Sequence, residues 1–94
     1  MKKEFNKEDV EFKFIGDWYK TLKEHWIPEV GDSQQAEDYW QSLMEDMDML
    51  YEVTKLMDED SVQILEPLIY ATVDILRDKA EVIKKKIKED NVTS

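Results

Sequence analysis

The groups able to do chemistry in this sequence are few, and carboxylates dominate them. Glu8-Asp9-Val10-Glu11 and Glu45-Asp46-Met47-Asp48 each set two acids three residues apart, a spacing at which neighbouring helical turns can share one magnesium ion. With 23 acids among 94 residues, such pairs arise readily by chance. Glu45 and Asp48 also project away from the apolar row of their segment, whereas a metal site in a helical bundle faces inward. Asp58 and Asp60 open like a calcium loop, but Gln63 stands where that loop needs glycine, and Ile69 replaces its last oxygen ligand. His25 is the only imidazole, and its neighbours Glu24 and Trp26 point in other directions. It therefore reads as a partly exposed structural histidine rather than an acid or base. Ser33 and Ser61 suit helix caps, and no Gly-x-Ser-x-Gly elbow surrounds any serine. Gly16 and Gly31 alone cannot build a phosphate loop. No catalytic residue, cofactor or metal ligand is assigned, and a non-catalytic protein is expected.

What the acids do collectively is more informative. The net charge is −10, and it is unevenly spread. Residues 1–31 carry seven acids against six lysines, and residues 61–94 carry six acids against six basic residues. Residues 32–60 carry ten acids against Lys55 alone, a net of −9. On a helical projection Glu37, Asp38, Glu45, Asp48, Glu52 and Glu59 share one side. Like charges at these spacings repel by a few tenths of a kcal/mol per pair. A solvated face explains such a ridge, and so does a surface that meets a basic partner. Met49, Val53 and Leu56 form an apolar strip beside it. That strip either packs under the first helix or, if exposed, supplies anchors next to the charge. The charge balance disfavours direct binding to nucleic acid, which depends on cation–phosphate contacts.

The elements that position these groups are helices. Asn6 is a candidate N-cap with Asp9 at the capping-box position, and Phe14, Ile15, Trp18, Tyr19, Leu22 and Trp26 then recur at three- and four-residue steps. Pro28 and Gly31 end this first helix near Trp26 or Ile27. Asp32 or Ser33 caps a second, in which Ala36, Trp40, Leu43, Met47, Leu50, Thr54 and Met57 form a heptad seam flanked by Met44 and Tyr51. About 25 residues would make it roughly 37 Å long, broken by Asp58-Glu59-Asp60. Ser61 is the candidate cap of a third helix, with a kink or restart near Glu66 imposed by Pro67. Val62, Ile69, Val73, Leu76, Ala80, Ile83 and Ile87 form one stripe on it. Leu65, Leu68, Thr72 and Ile75 form a second. Together they are wider than one neighbouring helix can cover, so this helix is expected to meet both others or a partner chain. The expected fold is a single all-α domain, an antiparallel three-helix bundle over residues 1–94 with 1–6 and 91–94 frayed. No cysteine, signal peptide or membrane span is present in the sequence, which makes the cytoplasm the expected location.

Asp38-Tyr39-Trp40-Gln41-Ser42-Leu43, with Leu50-Tyr51 and Leu65-Glu66-Pro67-Leu68-Ile69, resembles small acidic helical proteins encoded in phages and prophages of Gram-positive bacteria. The resemblance covers about half the chain and transfers no functional residue. It implies an accessory or host-directed protein, such as an inhibitor of a host enzyme. The expected function is protein binding, with a negatively charged helix presented to a basic, nucleic-acid-binding partner through Glu37, Asp38, Glu45, Asp48 and Glu52 and the strip Met49, Val53 and Leu56. The competing expectation is a structural homo-oligomer assembled through the wide face of the third helix. The sequence leaves monomer and homodimer open.

Overall fold

The computed structural model describes residues 2–93, with side chains for 2–89. Three helices follow one another, α1 (Val10–Glu24), α2 (Gln34–Thr54) and α3 (Glu59–Thr93), and no strand occurs among the described residues. The order is up-down-up. Glu11 meets Ser61, Trp18 meets Thr72 and Trp26 meets Lys79, so α1 and α3 run parallel, and α2 returns between them. The chain is an all-α three-helix bundle, as its periodicity predicts. Met1 and Ser94, at the ends where fraying is expected, lie outside the described residues.

α2 follows the heptad seam closely. Ala36, Leu43, Met47, Leu50 and Thr54 are buried, and Trp40 and Met57 pack at the margin. Ser33 caps the helix by accepting from the Ala36 N–H at 3.2 Å. The helix ends at Thr54, not near Met57, and at 21 residues is about 31 Å long. Lys55, Leu56 and Met57 instead form a tight turn whose amides bond to carbonyls three residues back. Glu59 consequently opens α3 and does not extend the ridge of α2.

The start of α3 differs from expectation in one atom-level respect. Asp58, rather than Ser61, is the cap, its Oδ1 accepting the Ser61 N–H at 2.8 Å. That hydrogen bond holds the Asp58 carboxyl below its usual range, with the Ser61 hydroxyl and Lys3 assisting. The Ser61 hydroxyl also reaches across the bundle. It is buried and donates to Glu11 Oε1 at 2.9 Å, across to α1. α3 then passes through Pro67 as one uninterrupted helix, so no restart occurs at Glu66.

α1 departs most from its sequence reading. It begins one turn later than Asn6, although the predicted pair is present. Asp9 accepts from the Asn6 N–H at 2.8 Å in an isolated turn that leads into the helix. It ends at Glu24, where the His25 amide and ring both approach the Thr21 carbonyl. Gly31, with φ of +105°, supplies the left-handed step that turns the chain toward α2. Of the expected stripe only Phe14 is buried. Trp18 and Leu22 are half-buried, and Ile15, Tyr19 and Trp26 are exposed. The row facing the core is Glu11, Phe14, Trp18, Thr21 and His25.

The core is accordingly built mostly from two helices. Leu43, Met47 and Leu50 of α2 meet Leu65, Ile69 and Leu76 of α3, and α1 inserts Phe14. α3 has 35 residues against 15 and 21 in its neighbours, so it outruns them. The 56 Å long axis of the molecule records that overhang, and Ile87, expected in the stripe, lies exposed on it.

Candidate functional site

The outer face of α2 carries the acidic ridge as the helical projection places it. Glu37, Asp38, Glu45, Asp48 and Glu52 are all exposed, turned about half a revolution from the buried Leu43 and Met47. Among the described residues, no lysine or arginine comes within ion-pair distance of Glu37, Asp38, Glu45 or Asp48; Glu52 alone has one, Lys55 at 2.9 Å. Gln34 donates to Asp38 and Gln41 to Glu45, which orients these two carboxylates without cancelling their charge. From Glu37 to Glu52, about 22 Å of axis, the five charges stand about 5.6 Å apart on average, wider than the roughly 3.4 Å spacing along one strand of duplex DNA.

The apolar strip beside the ridge is divided by the fold. Val53 is half-buried, while Met49 and Leu56 are exposed, Leu56 in the turn after α2. Met49 and Val53 line an open groove of about 460 Å³ between α1 and α2. Lys13, Lys20 and Asp17 form its α1 rim, and Glu52 and Asp46 its α2 rim. The ridge and two of its three apolar neighbours thus share one surface, and α1 does not cover them.

His25 is buried instead of partly exposed. Its Nδ1 lies 2.8 Å from the Thr21 carbonyl and 4.0 Å from Asp46 Oδ2, and its ring meets Tyr39 edge-on at 5.1 Å. With the proton on Nδ1 the ring donates to Thr21 O and closes the last turn of α1. The position is central to the α1–α2 contact. Spacing alone offered a signal, since His25 continues the three- and four-residue steps of Phe14, Trp18 and Thr21.

Tyr39 completes this junction. Its hydroxyl donates to the His25 carbonyl at 2.6 Å, and its ring stacks edge-on against Trp40 at 4.8 Å. Burial, and secondarily the charge of Glu29, push its pKa up to about 12 from 10.0. The folded chain therefore holds a proton that the unfolded chain releases near pH 10. The corresponding stability is present below pH 10 and is lost as pH rises toward 12. Urea midpoints measured across that interval are expected to fall less steeply for Tyr39→Phe than for the parent chain. Parallel slopes would disprove the linkage.

The carboxylate pairs do not come together as a metal site. Glu11 is turned into the α1–α3 contact while Glu8 is exposed, and Glu45 and Asp48 both face outward. Among the described residues no three His, Asp or Glu side chains converge on one point, and no helix is long and apolar enough to cross a membrane. No protein-family model, curated protein or solved structure matches this chain.

Proposed function

We propose that this chain is a non-catalytic binding protein that presents the outer face of α2 to a basic, nucleic-acid-binding protein. The observation that carries the reading is the ridge of Glu37, Asp38, Glu45, Asp48 and Glu52, four of whose five carboxylates have no cation beside them among the described residues. A ridge selected for stability alone would be interleaved with lysines, because each like-charge pair at helical spacing costs a few tenths of a kcal/mol. Left unneutralised, the ridge steers a positively charged surface toward itself and excludes acidic ones. Like a phosphate strand, though at wider spacing, it sets a row of negative charges along one axis, so a groove built for nucleic acid is a complementary surface. Met49 and Leu56 lie at the edge of the ridge as exposed apolar contacts. The resemblance to phage-encoded acidic proteins accords with an inhibitor aimed at a host enzyme.

The test is capture of basic proteins by the immobilised chain, compared with a variant carrying Glu45→Lys, Asp48→Lys and Glu52→Lys. The parent chain is expected to retain a nucleic-acid-binding protein that added duplex DNA releases. The triple variant, with unchanged helical circular dichroism, is expected to retain none of it. Equal retention by both chains, or a retained protein that DNA does not displace, removes the ridge from the mechanism.

A further inference from the structure

The row that α1 turns away from the core is the more apolar of its two. Phe12, Ile15, Tyr19, Leu22 and Trp26 follow each other by three and four residues, and all but Leu22 are exposed. α3 carries a matching row in Ile64, Leu68, Ala71, Ile75 and Val82, again at three-, four- and seven-residue steps. Ile64 is 71 % exposed, Ile75 62 % and Val82 53 %. The two rows flank one seam. Trp18 Nε1 donates to Thr72 Oγ1 at 2.8 Å, and Lys79 Nζ bonds the Trp26 carbonyl and sits 4.7 Å over its ring. Those contacts set both rows on the same side of the α1–α3 pair. A monomer would thus bury Glu11, Thr21 and His25 while leaving this broad apolar face in water, the reverse of what burial favours.

We infer that a second copy of this chain covers the face, its α3 lying antiparallel to the first so that α1 and α3 of both copies close into a four-helix bundle. Three features of the chain fit that occupant. The α3 row is self-complementary about residue 73, since reversal sets Ile64 level with Val82 and Ala71 level with Ile75. The charges at its ends are opposite and lie on one flank, so the same reversal brings Asp60 of one copy beside Lys85 of the other. The register of Trp18 against Thr72 places Tyr19, the middle of the α1 row, level with that same centre. Asp78 is the one acid within the row and lies at its edge, where it stays hydrated. The α3 row, about 27 Å long, and the α1 row, about 21 Å, together offer roughly 480 Å² in projection, close to the roughly 500 Å² per side at which a specific interface begins. The acidic ridge of α2 remains on the outside, so the dimer displays it twice.

Sedimentation equilibrium of the full chain decides the matter. The expected mass at micromolar concentration is twice the 11.3 kDa of one chain. Ile75→Lys with Val82→Lys is expected to yield monomer at unchanged helicity, because both side chains are exposed in the single chain. Asp60→Lys or Lys85→Glu alone is expected to weaken association about tenfold, and the two together in one chain to restore it. The absence of cysteine allows a register test. Chains with Ile64→Cys mixed with chains with Val82→Cys are expected to cross-link on mild oxidation, and neither alone. A monomer at roughly 100 µM overturns the inference and leaves the face to another protein. Cross-linking of Ile64→Cys with itself overturns the antiparallel register.

Discussion

Replacing Phe14 with alanine is expected to cost 3–5 kcal/mol, roughly, the largest effect of any single truncation in α1. Phe14 has no exposed surface and is the one large apolar side chain that α1 places fully inside. It fills the space bounded by Leu43, Met47 and Leu50 on one side and Leu65 and Ile69 on the other. Nothing else on α1 can slide into the void, since its neighbours in the inward row are Glu11, Trp18 and Thr21, two of them held by hydrogen bonds to α3. A domain of this size has about 5–14 kcal/mol in total, so the variant stands near the edge of folding. In a thermal melt the midpoint is expected to fall by at least about 12 °C. Tyr19→Ala, on the exposed row, is expected to cost less than about 1 kcal/mol when measured at a concentration low enough to keep the chain monomeric. The gap between the two variants distinguishes the observed inward row from the one that apolar spacing alone selects. A larger loss for Tyr19→Ala than for Phe14→Ala would mean that Tyr19, not Phe14, is the buried residue.

That contrast also explains which parts of the fold were legible in the sequence. α2 has one apolar row and one polar face, so its seam of Ala36, Leu43, Met47 and Leu50 could be read directly, and with it the outward placement of Glu37, Asp38, Glu45, Asp48 and Glu52. α1 has two rows at helical spacing. Hydrophobicity selects Ile15, Tyr19 and Trp26, whereas the folded chain buries Glu11, Thr21 and His25; Glu11 gains Ser61 when α1 closes on α3, and the His25 ring is paired within its own turn with the Thr21 carbonyl. A partner fifty residues away, such as Ser61 for Glu11, leaves no trace in local pattern. The same contact explains the reassigned cap of α3, since a serine used for a tertiary bond leaves the cap to Asp58. The first stripe of α3 was legible as far as its neighbours reach, whereas in the second Leu65 and Thr72 are buried but Ile75 is exposed. Ile69, Leu76 and Ala80 are buried and Ile83 is half-buried, while Ile87 belongs to the overhang. Helix lengths relative to one another, which decide where burial stops, are a property of the assembled fold and not of any one segment.

The Glu11–Ser61 pair is expected to behave as a unit whose halves cannot be removed separately without cost. Both side chains are buried, and the Ser61 hydroxyl donates to Glu11 Oε1 at 2.9 Å. Ser61→Ala strands a buried carboxyl oxygen and is expected to cost about 1–3 kcal/mol, more than the hydrogen bond itself is worth, because the oxygen was desolvated on folding and has lost its partner. The backbone cap survives this change, since Asp58 bonds the amide of residue 61. Glu11→Met removes the acceptor at similar volume and leaves only a hydroxyl, which can turn to the carbonyl of the preceding turn at smaller cost. Combining Glu11→Met with Ser61→Ala makes the contact apolar on both sides, and urea denaturation is expected to show most of the Ser61→Ala loss recovered. A double variant whose loss equals the sum of the single ones would mean that the two residues do not interact. Recovery would establish that the Glu11–Ser61 contact holds α1 to α3 only while both of its polar groups are paired.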